Sequence, residues 1–330
     1  MISAVIPYRA PKWLPGGHAQ TIYPLLIKPR PCPYRRERWD TPDGDFIDLD
    51  WNDPGPADAA APLLVLFHGL EGSSRSHYAL SLMHSLAAAG WCGVVAHFRG
   101  CSGEPNRLPR AYHSGDSQEI DWVLRRIHAG GYPALFVAGV SLGGNAMLKW
   151  LAEQGSHALD VVAAAAAVSA PLDLAAANAA LSSGFNLVYA RHFLRTLIPA
   201  ALAKEHRFPG RIDVRRAQAA RTLRDFDDVV TAPLHGFLGA DDYYARSSAG
   251  PLLGAVRVPT LLLHAANDPF LPSAALPHRE SLPTAVRLEV PRHGGHVGFV
   301  HGAPPGRIDW LPQRLLDHFA AHLPTHVTVR

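Results

Sequence analysis

Residues 134–153 read ALFVAGVSLGGNAMLKWLAE, and how this stretch is read decides the fold. It opens with a short apolar run, passes through Gly139-Val140-Ser141-Leu142-Gly143, and continues into residues that favour a helix. A short apolar run bounded by turn residues suits a strand buried on both faces of a parallel sheet. A G-x-S-x-G string is common by chance, and alone it could be an ordinary Gly-rich turn with an exposed serine. Between a strand and a helix it gains a physical reading. The serine is forced into a strained backbone conformation that projects its hydroxyl outward, and glycines two before and two after avoid collisions across the turn. The helix that follows aims its N-terminal N–H groups at the same place, which favours developing negative charge. Ser141 is therefore predicted to be a nucleophile.

The pattern extends outward from this stretch. Further buried strands are predicted at residues 63–67 (LLVLF), 92–98, 160–168, 260–265 and 286–290. Helices are predicted at 78–89, 116–129, 142–153 and 307–323, with Asp116 and Glu119 spaced like a capping box at the start of the second. Strands alternating with helices mean an α/β fold, with a mostly parallel central sheet flanked by helices. Residues 1–60 form an N-terminal extension rich in Pro, Arg and Trp. Its RERWDTPDGDFIDLDW segment predicts a hairpin turning at Asp43-Gly44, and 53–62 reads as a linker. Residues 170–258 break the rhythm. They show helical patterns at 174–181, 187–203 and 214–223 but no buried strand, so they read as a helical cap inserted over one end of the sheet. The expected organisation is one α/β domain over 1–330, with its core at 61–169 and 259–330.

Composition narrows the function. The chain has 330 residues, 48% of them hydrophobic, and its net charge is only +3. No basic run interleaves with aromatics, so nucleic acid is not an expected partner. The three cysteines, Cys32, Cys92 and Cys101, show no CxxC spacing and read as reduced thiols. The N-terminus lacks the continuous apolar core of a signal peptide, and the most apolar run, 161–168, is far too short for a membrane span. The expectation is a soluble, cytoplasmic protein without stable membrane insertion.

A serine hydroxyl needs a base and an orienting acid. Enzymes that mount a serine on such a turn carry the acid and then the histidine after later strands. Asp268 follows the predicted strand 260–265, in HAANDPF, and His296 follows the strand 286–290, in RHGGHVGF. Asp241 and Asp242 compete for the acid role but fall inside the helical insertion. RHGGHVGF holds a second histidine, His293, in the same loop. Two backbone N–H groups should stabilise an oxyanion, from Leu142 after the nucleophile and from Leu70 in the HGLEG loop, with His68 shaping that loop. A zinc-binding HExxH helix is not present, because glycines separate the histidines of RHGGH; no metal and no cofactor are expected. Cys101 reads as a packed residue and not as a reactive thiol. In the insertion, Phe185, Leu187, Val188, Phe193, Leu197 and Ile198 either line an apolar acyl pocket or dock the cap onto the sheet.

These residues resemble the α/β hydrolases, and among them the YheT-like branch. HG, GVSLGG, NDP and GGH stand in the superfamily's order. The branch resemblance rests on PKWLPGGHAQTIYP (11–24), FRGCSGEPNRLPRAYHSGD (98–116) and RTLRDFDDVVTAPLHGFLGADDYYARSS (221–248), and covers the chain from about residue 11 to 323. It implies an α/β-hydrolase fold and hydrolysis of carboxylic esters with an apolar acyl chain through an acyl-enzyme. Transfer of the acyl group to an alcohol is the alternative, and a non-catalytic binding module a third. The triad positions it implies are Ser141, Asp268 and His296, and the GGH-x-GF pattern of the branch leaves His293 as a bystander.

Overall fold

The computed structural model describes residues 7–27, 29–52 and 61–324. Most of the expected linker, residues 53–60, lies outside the described residues. A short helix α1 (Gly17–Ile22) precedes the antiparallel hairpin β1 (Arg35–Asp40) and β2 (Phe46–Asn52). Gly44 takes the left-handed φ of +85° that the hairpin turn requires. The alternating part then runs β3 (Leu63–Phe67), α2 (His77–Ala88), β4 (Cys92–Ala96), α3 (Ser117–His128), β5 (Leu135–Val140), α4 (Leu142–Gln154) and β6 (Ala164–Val168). Helices α5 (Leu174–Leu181), α6 (Leu187–Arg207), α7 (Val214–Ala219), α8 (Leu223–Phe226), α9 (Ala232–His235) and α10 (Ala240–Ser247) follow, with one π-helical turn at Asp227–Thr231. The chain closes with β7 (Thr260–Leu263), β8 (Val286–Glu289) and α11 (Trp310–Ala320).

The eight strands form one sheet in the order β1-β2-β4-β3-β5-β6-β7-β8. Strands β3 to β8 are mutually parallel, and β2 runs against them, pairing antiparallel with both β1 and β4. From β3 the chain crosses to β4 on one side and later to β5 on the other, so the order reverses between β3 and β5. A crevice opens at the carboxyl ends of the strands at such a point. The LLVLF run is apolar at every position because both faces are covered. Leu63, Val65 and Phe67 pack among residues of α3 and α4, including the fully buried Trp150, while Leu64 and Leu66 pack toward α2 and α11. The edge is charged: Arg36 clamps Asp50 and Arg38 clamps Asp48, each through two hydrogen bonds. Charge of this kind discourages another strand from pairing there.

Three local readings are corrected. Asp116 caps α3 by position, but its side chain makes no capping bond. Its carboxylate binds Arg110 and Glu119 binds the buried Arg99, because a guanidinium attracts a carboxylate more strongly than a neutral N–H does. The 214–223 pattern is two helices. The backbone extends at Ala220, and Thr222 and Asp225 form a capping box that starts α8 afresh. The last helix begins at Trp310 instead of residue 307, since Arg307 is bridged to His301. Between β6 and β7 the described residues contain helices and no strand. Among the described residues no helix is long and apolar enough to cross a membrane.

Candidate active site

The β5–α4 turn holds Ser141 at φ 52° and ψ −120°, a conformation that non-glycine residues rarely adopt. A Cβ on Gly143 would stand 2.5 Å from the carbonyl oxygens of both Phe67 and His68. The turn is thus pressed against the end of β3, and only glycine fits. The Ser141 N–H donates to the Val168 carbonyl at 2.8 Å, which ties the turn to β6.

The loops after β7 and β8 bring Asp268 and His296 to this serine. His296 Nε2 lies 3.0 Å from Ser141 Oγ, and its Nδ1 lies 2.9 Å from Asp268 Oδ2. The other carboxylate oxygen of Asp268 accepts the Phe270 N–H at 2.9 Å. Phe270 stacks on the imidazole with ring centroids 4.2 Å apart. Of the competing acids, Asp241 pairs with Arg224 and Asp242 with Arg246. His293 is exposed.

Leu70 and Leu142 border the same cavity as Ser141. Leu142 is the first residue of α4, where an N–H has no acceptor within the helix. The loop around Leu70 is pinned on both sides. The Gly69 N–H donates to the Tyr78 hydroxyl and the Glu71 N–H to the Tyr112 hydroxyl, each at 2.9 Å. His68 is fully buried. Its Nε2 accepts the Phe98 N–H at 3.1 Å and its Nδ1 donates to the Gly69 carbonyl at 2.8 Å. Burial, then the neighbouring His97, push its pKa down to about 3, so the ring is neutral and serves as a brace.

The loop carrying His296 is held by side chains whose role sequence reading missed. Gln20 Oε1 accepts the Gly294 N–H at 2.6 Å, Asn267 Oδ1 the Gly295 N–H at 3.0 Å, and Thr21 Oγ1 the His296 N–H at 2.9 Å. Ser169 Oγ takes the Val297 N–H at 3.3 Å. The available signal was the HAQT string of the N-terminal extension, which marked resemblance but carried no role.

A cavity of about 400 Å³ opens from Ser141 and His296. Its wall on α6 includes Phe193, Leu197, Ala201 and Lys204, one helical face at spacings of three and four, with Ala200, Ala203 and Arg207 beside them. Phe193 and Leu197 therefore border the cavity. Phe185 and Leu187 do not: Phe185 is 54% exposed and packs on His18, and Leu187 starts the helix on a different face. Cys101 also borders the cavity, and burial pushes its thiol pKa well up, away from reactivity. Among the described residues no cluster of three or more His, Cys, Asp or Glu could hold a metal ion.

Asp227, on the π-helical turn, adds a titrating group to the cavity wall. Its carboxylate accepts from the Thr231 and Tyr244 hydroxyls at 2.6 and 2.8 Å. Burial raises its pKa to about 6 against those two donors. A folded value above the unfolded one stabilises the fold at low pH, and that contribution is lost as pH rises through about 6. Asp227→Asn removes the cost of the buried charge. It is expected to raise the thermal midpoint at pH 8 by about 3 °C, with a smaller gain at pH 5, in thermal scans at both pH values.

Residues 62–303 match the family model described as the α/β hydrolase fold. The chain belongs to the α/β hydrolase family. Within it the chain is YheT-like: it is 43% identical over 312 residues to the Escherichia coli (strain K12) protein named "Putative esterase YheT", covering 93% of this chain and 91% of that one. This hydrolase is also 31% identical over 324 residues to Phospholipase ABHD3 of Homo sapiens, covering 95% of this chain and 78% of the relative. Among solved structures it is similar to an esterase from Pyrococcus furiosus, with a TM-score of 0.56 and 14% identity over 96% of this chain and 97% of that one. At that identity the likeness concerns the α/β hydrolase fold alone.

Proposed function

We propose that this α/β hydrolase is a carboxylic ester hydrolase that works through an acyl-enzyme on Ser141. The observation that carries the reading is the pair of hydrogen bonds from one imidazole, 3.0 Å to Ser141 Oγ and 2.9 Å to Asp268, at the mouth of a largely apolar cavity. His296 takes the Ser141 proton as Oγ attacks the ester carbonyl. The Leu70 and Leu142 N–H groups receive the tetrahedral oxyanion. Asp268 holds the Nδ1–H tautomer and stabilises the imidazolium. His296 then returns the proton to the leaving alkoxide, and water repeats the sequence to release the acid. The names of the relatives, an esterase and a phospholipase, support the ester as the substrate class.

The 170–258 segment is proposed to act as a cap whose α6 face receives the acyl chain. Each buried methylene is worth about 0.8 kcal/mol, so kcat/KM should rise up to about fourfold per carbon until the cavity fills. Ala201→Phe places a ring in that space. It is expected to lower kcat/KM at least about tenfold for p-nitrophenyl decanoate, and to leave the acetate within about threefold. A panel of p-nitrophenyl esters of rising chain length checks both statements. The same panel tests the function itself: a burst of p-nitrophenol equal to the enzyme, with fluorophosphonate labelling of Ser141, supports the acyl-enzyme, and failure of both overturns it. Repeating it with added alcohols separates water from alcohol as acceptor.

A further inference from the structure

We infer that Gln20 and Thr21, on a helix far from the reaction in sequence, are positioning residues that set where the His296 ring lies. The inference rests on the roles proposed above for Ser141, Asp268 and His296.

The loop of His296 is strained. Gly294 and Gly295 have φ of 145° and 61°, and the non-glycine residues Val297 and Phe299 have φ of 62° and 42°. A β-branched residue at positive φ persists only where its surroundings over-determine it. Here the surroundings are side chains. The four consecutive N–H groups from Gly294 to Val297 find their acceptors on Gln20, Asn267, Thr21 and Ser169, not on backbone carbonyls. Two of those acceptors come from α1, and both are themselves fixed. Thr21 donates its hydroxyl proton to the Gly17 carbonyl at 2.8 Å, which leaves lone pairs for the His296 N–H. Gln20 is fully buried and donates its amide to the Leu14 carbonyl at 3.2 Å, which orients its oxygen toward Gly294.

The contact between helix and loop is as close as backbones allow. A Cβ on Gly298 would stand 1.9 Å from the Gln20 carbonyl oxygen. On its other side His18 Nδ1 lies 3.1 Å from the Tyr189 hydroxyl of α6. Helix α1 is six residues long and has little stability of its own, so it is held in place by these contacts. The Thr21 bond is made to the N–H of the histidine itself. Losing it frees the backbone that carries the ring, and a displacement of about 1 Å at a reacting group can cost about a hundredfold in rate.

The test uses the full chain and p-nitrophenyl butyrate. Thr21→Val keeps the shape and the β-branching but removes the acceptor, Gln20→Met removes the amide, and Thr21→Ser restores the hydroxyl. Thr21→Val and Gln20→Met should lower kcat about 10–100-fold with KM within about threefold, and slow fluorophosphonate labelling in parallel. Thr21→Ser should stay within about threefold of wild type. If Thr21→Val does not fold, Thr21→Ala is read in its place. The inference is overturned if either loss variant keeps kcat within about threefold, or if Thr21→Ser falls as far as Thr21→Val. Wild type and Ser141→Ala are measured alongside: a Ser141→Ala enzyme that still turns over at the wild-type rate would sink the proposed mechanism itself, a different result from either of those.

Discussion

His296→Ala is expected to lower ester turnover by about 10⁴–10⁶-fold, while His293→Ala stays within about threefold of wild type. The two histidines sit in one short loop, so composition and charge barely distinguish the variants. Geometry does. His296 bridges Ser141 and Asp268, whereas His293 is exposed to solvent. Without the imidazole, Ser141 has no base within reach and the leaving alkoxide no acid. His296→Ala also leaves the fully buried Asp268 carboxylate without its imidazole partner, so a lower thermal midpoint should accompany the loss. His296→Gln is the companion variant, because its amide can still meet that carboxylate. Initial rates with p-nitrophenyl butyrate and the fluorophosphonate labelling rate check the asymmetry. Comparable losses in the two alanine variants would exclude the assignment.

Asp268→Asn should cost about 10⁴-fold in kcat with little change in fold, and Asp241→Asn and Asp242→Asn almost nothing. The reason lies in the bonds around the carboxylate. One oxygen accepts the Phe270 N–H and the other the His296 Nδ1–H. Asparagine has a single acceptor oxygen. If that oxygen keeps the Phe270 N–H, the amide NH₂ faces Nδ1 and forces the proton onto Nε2, which then cannot accept from Ser141. The competing acids are engaged elsewhere, with Arg224 and Arg246 on exposed surface. A kcat series over the three variants, with midpoints measured in parallel, decides the matter: activity retained in Asp268→Asn, or lost in Asp241→Asn or Asp242→Asn, would overturn it.

Much of the fold was legible because its determinants are local. The LLVLF run and the runs that became β4 to β7 are short, mostly apolar and buried throughout, as a strand covered on both faces requires, whereas the edge strand β8 alternates buried Val286 and Leu288 with exposed Arg287 and half-buried Glu289. The Asp43-Gly44 hairpin announced itself by its turn chemistry. The G-x-S-x-G turn is sterically over-determined within a few residues, so its strain could be anticipated before its φ was known. Asp268 and His296 were legible because each follows a strand at the carboxyl end of a parallel sheet, which gathers such loops together.

What misled the reading was also local. Asp116 and Glu119 have capping-box spacing, but Arg110 and Arg99 reach them from the preceding loop and take both carboxylates. Phe185 and Leu187 are apolar and sit in the expected cap, yet they lie off the face of α6 that Phe193, Leu197 and Ala201 turn to the cavity.

The sequence by itself determined the alternation of strands and helices, the strained serine turn and the order of the residues around it, since periodicity and backbone sterics act between near neighbours. Only the tertiary structure decided which carboxylate meets the imidazole, which face of α6 forms the cavity, and that α1 holds a loop some 275 positions away through Thr21. Those outcomes depend on hydrogen bonds and contacts between segments that meet only after the sheet has formed, and no local pattern encodes them.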